Sequence, residues 1–156
     1  MIMRLRRWQH ECVELALKKY SSGQVHFLVQ ATPAAGKTFM TSNLANQLLQ
    51  NNHIDLVLCF SPSTIVANEF SEALSSITKC SFNGKIGDKG QSITYQKMAY
   101  LDENFWSLFD KFRVLTVFDE IHHCAGTNDE NSNEWGKQII EKIQDKATYT
   151  LALSGT

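Results

Sequence analysis

With 156 residues, 43% hydrophobic and 20% charged side chains and a formal net charge of −1, the chain has the make-up of one globular domain. A domain of this length buries about 68–70% of its unfolded surface, so neither disorder nor a fibre is expected. The near-neutral charge excludes a global basic field for nucleic acid and leaves only local patches for such contacts.

Charge is uneven along the chain. Residues 79–97 carry four lysines against one aspartate, whereas residues 119–134 carry five acids and no Lys or Arg. Two solvated loops would give the same pattern. Cys12, Cys59, Cys80 and Cys124 lack the short paired spacing of a zinc or redox site, and Cys59 sits in an apolar run as a small core residue. Met1 to Trp8 is Arg-rich without the apolar stretch of a secretory leader. No apolar run approaches the roughly 20 residues that span a bilayer. A reducing cytoplasm is the expected setting.

From residue 25 onward, strand-length apolar runs alternate with helical periodicities. Residues 25–31 read as a strand broken at Pro33, and Met40, Leu44 and Leu48 mark one face of a helix after Gly36. Residues 54–61 form a second strand closed by Pro62, and Val66, Phe70, Leu74 and Ile77 predict a helix with one buried stripe. A Gly- and Lys-rich loop, 79–90, leads to a short strand at 92–95 and a helix around 96–110. Residues 113–119 form a strand with an apolar middle, and residues 124–133 are polar and turn-rich. Trp135, Ile139 and Ile143 mark a further helix, and 149–153 a last strand. This alternation implies crossover connections: an α/β domain with a mainly parallel sheet and helices on both faces. Ligands of such sheets bind beyond the carboxyl ends of the strands.

Two stretches fall at those ends. Ala31, Thr32, Pro33, Ala34, Ala35, Gly36, Lys37 and Thr38 follow a strand and open a helix, the context of a phosphate-binding Walker A loop. Backbone N–H groups there can cradle phosphates, Lys37 would reach the β- and γ-phosphates, and Thr38 would bind magnesium. The strict pattern begins with glycine, where this chain has Ala31. The second stretch is Asp119 and Glu120, delivered by an apolar strand in the manner of a Walker B motif. Asp119 would hold magnesium, while Glu120 would orient and deprotonate the attacking water. A fortuitous Gly-Lys-Thr and a strand ending in solvated acids remain the bland alternatives. A metal cluster at His122, His123 and Cys124 is another, disfavoured because adjacent side chains on an extended segment point to opposite faces. The order and context of the two loops together predict a bound Mg-nucleotide, with Lys37, Asp119 and Glu120 converging across neighbouring strand ends.

These residues resemble superfamily 2 helicases of the DEAD/DEAH group, above all the branch with type III restriction enzyme subunits and related DNA translocases. Asp119-Glu120-Ile121-His122 looks like motif II, and residues 31–38 like motif I, which in that group often begins Ala-Thr; Ala34 stands where a small residue, often glycine, is usual. Leu5-Arg6-Arg7-Trp8-Gln9 is similar to the start of such proteins, which implies that Gln9 on the first helix reads adenine, supported by Arg6 or Trp8. Ser61-Pro62-Ser63-Thr64 looks like motif Ia, and Thr94-Tyr95-Gln96 like a further motif, so Ser61, Ser63, Thr94 and Tyr95 are expected on the nucleic-acid backbone. Ser154-Gly155-Thr156 resembles motif III, where Ser-Ala-Thr is common; with His122, Ser154 and Thr156 are expected to couple nucleotide state to nucleic-acid grip.

The resemblance covers essentially the whole chain. It implies a three-layer RecA-like P-loop NTPase domain over residues 1–156, with ATP and Mg2+ as cofactors. It also implies DNA or RNA and a second RecA-like domain as partners, and no membrane. Because the sequence stops at Thr156, a truncated gene or expressed fragment without that second domain and its arginine finger is expected. A missing finger costs on the order of 10³–10⁵ in turnover, so weak ATP binding and little hydrolysis are expected of this piece. The alternatives are a P-loop NTPase of another class, such as a kinase or switch GTPase, and a nucleotide-gated binding module without catalysis. Neither kinases nor switch GTPases combine Gln9, the His122 extension and Ser-Gly-Thr at a last strand.

Overall fold

The computed structural model describes residues 5–31, 36–121 and 130–155, with residues 130–135 described by their backbone alone. In chain order the elements are α1 (Arg7–Ser21), β1 (His26–Gln30), α2 (Lys37–Gln50), β2 (Leu56–Ser61), α3 (Thr64–Thr78) and β3 (Gly90–Thr94). A 3-10 helix (Tyr95–Tyr100), α4 (Glu103–Lys111), β4 (Val114–Asp119), α5 (Glu130–Lys146) and β5 (Tyr149–Ser154) complete the described chain.

All five strands are parallel and lie in the order β1-β5-β4-β2-β3. Alternate strand residues feed two separate cores, as the period-2 geometry of a strand requires. Val57 and Cys59 of β2, Leu115 and Val117 of β4 and Leu151 and Leu153 of β5 face one core with α1, α2 and α3, anchored by Val13, Met40, Leu44, Phe70 and Leu74. Leu58 and Phe60, Val114 and Phe118 face the other, with Phe105 and Phe109 of α4 and Ile140 and Ile143 of α5. The domain is therefore a three-layer α/β sandwich, as its apolar strand runs predict. Cys59 is packed in the first core, where burial pushes its thiol up.

Three expectations need correction. The helix around 96–110 is two pieces, because Asp102 restarts the chain as an N-cap whose Oδ1 accepts from the Phe105 N–H at 3.0 Å. Strand β3 begins at Gly90, two residues before the expected 92: its backbone lies so close to Val57 that an added Cβ would run into the Val57 carbonyl, and only glycine fits. The last helix begins at Glu130, inside the stretch read as turn-rich. Among the described residues no helix is long and apolar enough to cross a membrane.

Candidate functional site

The phosphate-loop end is built around Gly36. It is the N-cap of α2 with φ 81° and ψ 41°, a left-handed conformation that glycine adopts without strain. The first bond of α2 runs from the Met40 N–H to the Gly36 carbonyl, so the N–H groups of Lys37, Thr38 and Phe39 have no acceptor within the helix. Such a terminus attracts anions. The Gly36 carbonyl also accepts from Gln9 Nε2 at 3.0 Å, and Gln9 Oε1 accepts from the Arg6 N–H at 2.7 Å. Gln9 is thus buried between the start of α1 and the end of the phosphate loop, while Arg6 is exposed and Trp8 half-buried. An added Cβ on Gly36 would strike the Gln9 amide, which would have to shift. Thr32, Pro33, Ala34 and Ala35 lie outside the described residues.

At the other side, β4 is buried along its whole length and delivers Asp119, only 4% exposed. Lys37 Nζ lies 3.2 Å from Asp119 Oδ1 and 2.6 Å from Glu120 Oε1. The three groups therefore meet, although Lys37 and Asp119 are 82 residues apart in sequence. They do not meet across neighbouring strands, as expected from the sequence. Strand β5 lies between β1 and β4. Its end fills the gap, and the Gly155 N–H donates to Glu120 Oε2 at 3.1 Å. The Glu120 carboxylate is held at both oxygens, by an ammonium on one and an amide on the other. A Cβ at position 155 would lie 2.5 Å from Glu120 Oε1. Gly155 stands between Ser154 and Thr156, the two residues of this motif expected in the site; a glycine where alanine is common is the signal in the sequence that points to it.

Glu120 itself has φ 48°. A left-handed conformation costs a residue with a Cβ about 1–2 kcal/mol, and such strain collects where surrounding bonds over-determine the backbone for a purpose. The electrostatics agree. Burial works against a charged Lys37, but its hydrogen bond to Glu120 and the field of Asp119 outweigh that and raise its pKa. Burial raises the Asp119 carboxyl, with Lys37 offsetting part of the shift and Glu120 adding to it. One ammonium against two carboxylates leaves a negative surplus in a partly desolvated pocket, a donor set suited to a hard cation.

The residues expected on a nucleic-acid backbone behave differently. Ser61, at the end of β2, is fully buried, and its Oγ has no hydrogen-bond partner among the described residues. Ser63 is the half-buried N-cap of α3, its Oγ accepting from the Val66 N–H at 3.3 Å. Thr94 is 9% exposed and Tyr95 4%. The Tyr95 hydroxyl donates to the Asp119 carbonyl at 2.8 Å. As placed here, Ser61 and Tyr95 are interior groups and offer no surface; Gln96 and Lys97 beside them are exposed. Ser154 is half-buried, and its carbonyl accepts from the Ala31 N–H at 2.9 Å, tying β5 to the root of the phosphate loop. His122, His123, Cys124 and Thr156 lie outside the described residues.

Comparison with known proteins fits this geometry. The family described as "Type III restriction enzyme, res subunit" matches residues 2–156. The chain belongs to that family. The uncharacterized protein Rv2917 of Mycobacterium tuberculosis is 30% identical over 162 aligned residues, which cover 97% of this chain and 25% of that protein. The chain thus spans about a quarter of the length of the curated relatives it matches. Among solved structures, the Sulfolobus solfataricus SWI2/SNF2 ATPase core in complex with dsDNA superposes with a TM-score of 0.73 at 19% identity, covering 99% of this chain and 32% of that one. The UvsW helicase from bacteriophage T4 gives 0.70 at 15% identity, covering 99% and 53%. Both share the fold: it is that of RecA-like helicase domains.

Proposed function

We propose that the chain is the ATP- and magnesium-binding domain of a nucleic-acid-dependent ATPase, a DNA helicase or translocase motor. The observation that carries the reading is the position of Lys37 Nζ, at the N-terminus of α2 and between the Asp119 and Glu120 carboxylates. A buried lysine with two acids on it, at a helix end whose first N–H groups have no acceptor within the helix, suits partner exchange. Lys37 would exchange its carboxylate partners for the β- and γ-phosphates, and Asp119 with the Thr38 hydroxyl would hold magnesium. The metal supplies positive charge that offsets the charge developing on the phosphates. Glu120, still seated on the Gly155 N–H, then orients the attacking water and accepts its proton. Gln9, whose amide donates to the Gly36 carbonyl beside the phosphate loop, reads the adenine base.

The same proposal assigns residues 32–35 to the phosphates and gives His122, Ser154 and Thr156 the coupling role. It places the DNA or RNA backbone across the ends of β2 and β3, where Ser63 and Thr94 lie. A second RecA-like domain as partner, and slow turnover by this chain alone, belong to it as well. Single-turnover hydrolysis, with the chain in excess over labelled ATP, tests it. Slow, Mg-dependent cleavage is expected of the chain alone, and stimulation by nucleic acid of the longer protein that carries the second domain. Glu120→Gln should retain nucleotide binding while cleavage falls by about 10²-fold or more, the scale of a lost general base. Equal cleavage by both forms would refute the assignment of Glu120.

A further inference from the structure

We infer that Tyr95 is a positioning residue for Glu120, and that its hydroxyl holds the peptide unit on which the orientation of the Glu120 carboxylate depends. The inference rests on the reading of Glu120 given above.

Tyr95 follows β3, an edge strand, while Asp119 ends β4, and β2 lies between them. To reach β4 the tyrosine ring must cross the end of β2, and a row of aromatic rings lets it do so. Tyr95 stacks on Phe60 of β2 at 6.2 Å and 18°, and Phe60 stacks on Phe118 of β4 at 5.8 Å and 15°. The row leaves the phenol oxygen 2.8 Å from the Asp119 carbonyl, in a bond with both residues buried. Shielded from water, such a bond is not readily exchanged for a solvent one.

The chosen acceptor matters. The Asp119 carbonyl belongs to the planar peptide unit that joins residues 119 and 120, so holding it restrains the rotation that sets φ of Glu120. That φ is 48°, a value a glutamate leaves unless something prevents it. A rotation of this peptide would return Glu120 to an ordinary φ and carry its carboxylate off the Gly155 N–H and away from Lys37. Tyr95, through the Asp119 carbonyl, and Gly155, through the carboxylate, thus hold one strained residue at two points.

Tyr95→Phe keeps the ring and its stacking and removes only the oxygen. The Gly155 amide resonance in a proton–nitrogen correlation spectrum reports directly on the bond to Glu120. In Tyr95→Phe it is expected to move toward its position in Glu120→Ala. ATP affinity should stay within about twofold, while single-turnover hydrolysis falls about tenfold, the scale of a displaced catalytic group. A Gly155 resonance at its wild-type position in Tyr95→Phe would overturn the inference. The spectrum needs no nucleotide, so absence of ATP binding by the wild-type chain would refute the proposed function without touching this result. Should Tyr95→Phe not fold, Tyr95→Phe/Glu120→Gly decides. Glycine takes a positive φ freely, so the double variant folds if the hydroxyl serves the backbone of residue 120, and a double variant that stays unfolded contradicts that role.

Discussion

The two ends of the sheet both carry ion pairs, and they are built to opposite ends. At the amino ends of the strands, Arg113 before β4 grips Asp55 before β2 with Nη2 on Oδ1 at 2.9 Å and Nε on Oδ2 at 3.1 Å. The same guanidinium donates to the Asn52 carbonyl at 2.6 Å. This pair is 44% and 36% exposed and ties two strands together. At the carboxyl ends, Lys37, Asp119 and Glu120 are nearly buried, unequal in charge, and joined to a residue with a left-handed backbone. A bidentate exposed pair costs little and asks for nothing further. A desolvated cluster with surplus negative charge is a poor way to hold a sheet and a good way to wait for a cation and an anion together.

Substitutions at the two ends should therefore differ in kind. The largest effect is that of Glu120→Gln on hydrolysis. Next is Gly155→Ala, in which the new Cβ meets Glu120 Oε1 and displaces the carboxylate from its amide. Single-turnover cleavage is expected to fall about tenfold with nucleotide affinity held, since misplacing a catalytic group costs rate and not binding. Unchanged cleavage would mean that Glu120 does not act from the position seen here.

The smallest effect lies at the other end. The Arg113 guanidinium, with its hydrogen bonds to Asp55, holds that carboxyl at about 2, below its ordinary 3.8. Because the folded pKa is the lower one, the contribution is present above pH ~4 and is lost as pH falls toward 2. Screened by solvent, it is worth about 0.5 kcal/mol or less. Asp55→Asn should lower the denaturation midpoint slightly at pH 7, leave nucleotide binding unchanged, and match the wild type once the pH approaches 2. A gap that persists in acid would place the effect outside this pair.

How much of this was legible follows from where each signal resides. Lys37, Asp119 and Glu120 stand out because each ends or begins an apolar or periodic run, and that information is local. The parallel sheet with two covered faces follows from the near-continuous apolar runs at 56–60 and 114–118. The order of the strands is not local, and so the insertion of β5 between β1 and β4, which brings Gly155 to Glu120, could not be read. Tyr95 was misplaced for a related reason. Thr94 and Tyr95 look like a polar strand end, and only the ring row through Phe60 and Phe118 makes the tyrosine an interior residue. The break before α4 was missed because Asp102 reads equally well as a surface residue of one long helix or as the cap of a second.

The most direct measurement is an equilibrium titration of the chain with ATP, with and without magnesium, beside the same titration of Lys37→Ala. The wild-type chain should bind ATP more tightly with magnesium present, and Lys37→Ala should lose at least about tenfold in affinity, the scale of one charge-assisted contact to phosphate. Equal affinity in both forms, or no response to magnesium, would show that the lysine and the two carboxylates do not share a nucleotide.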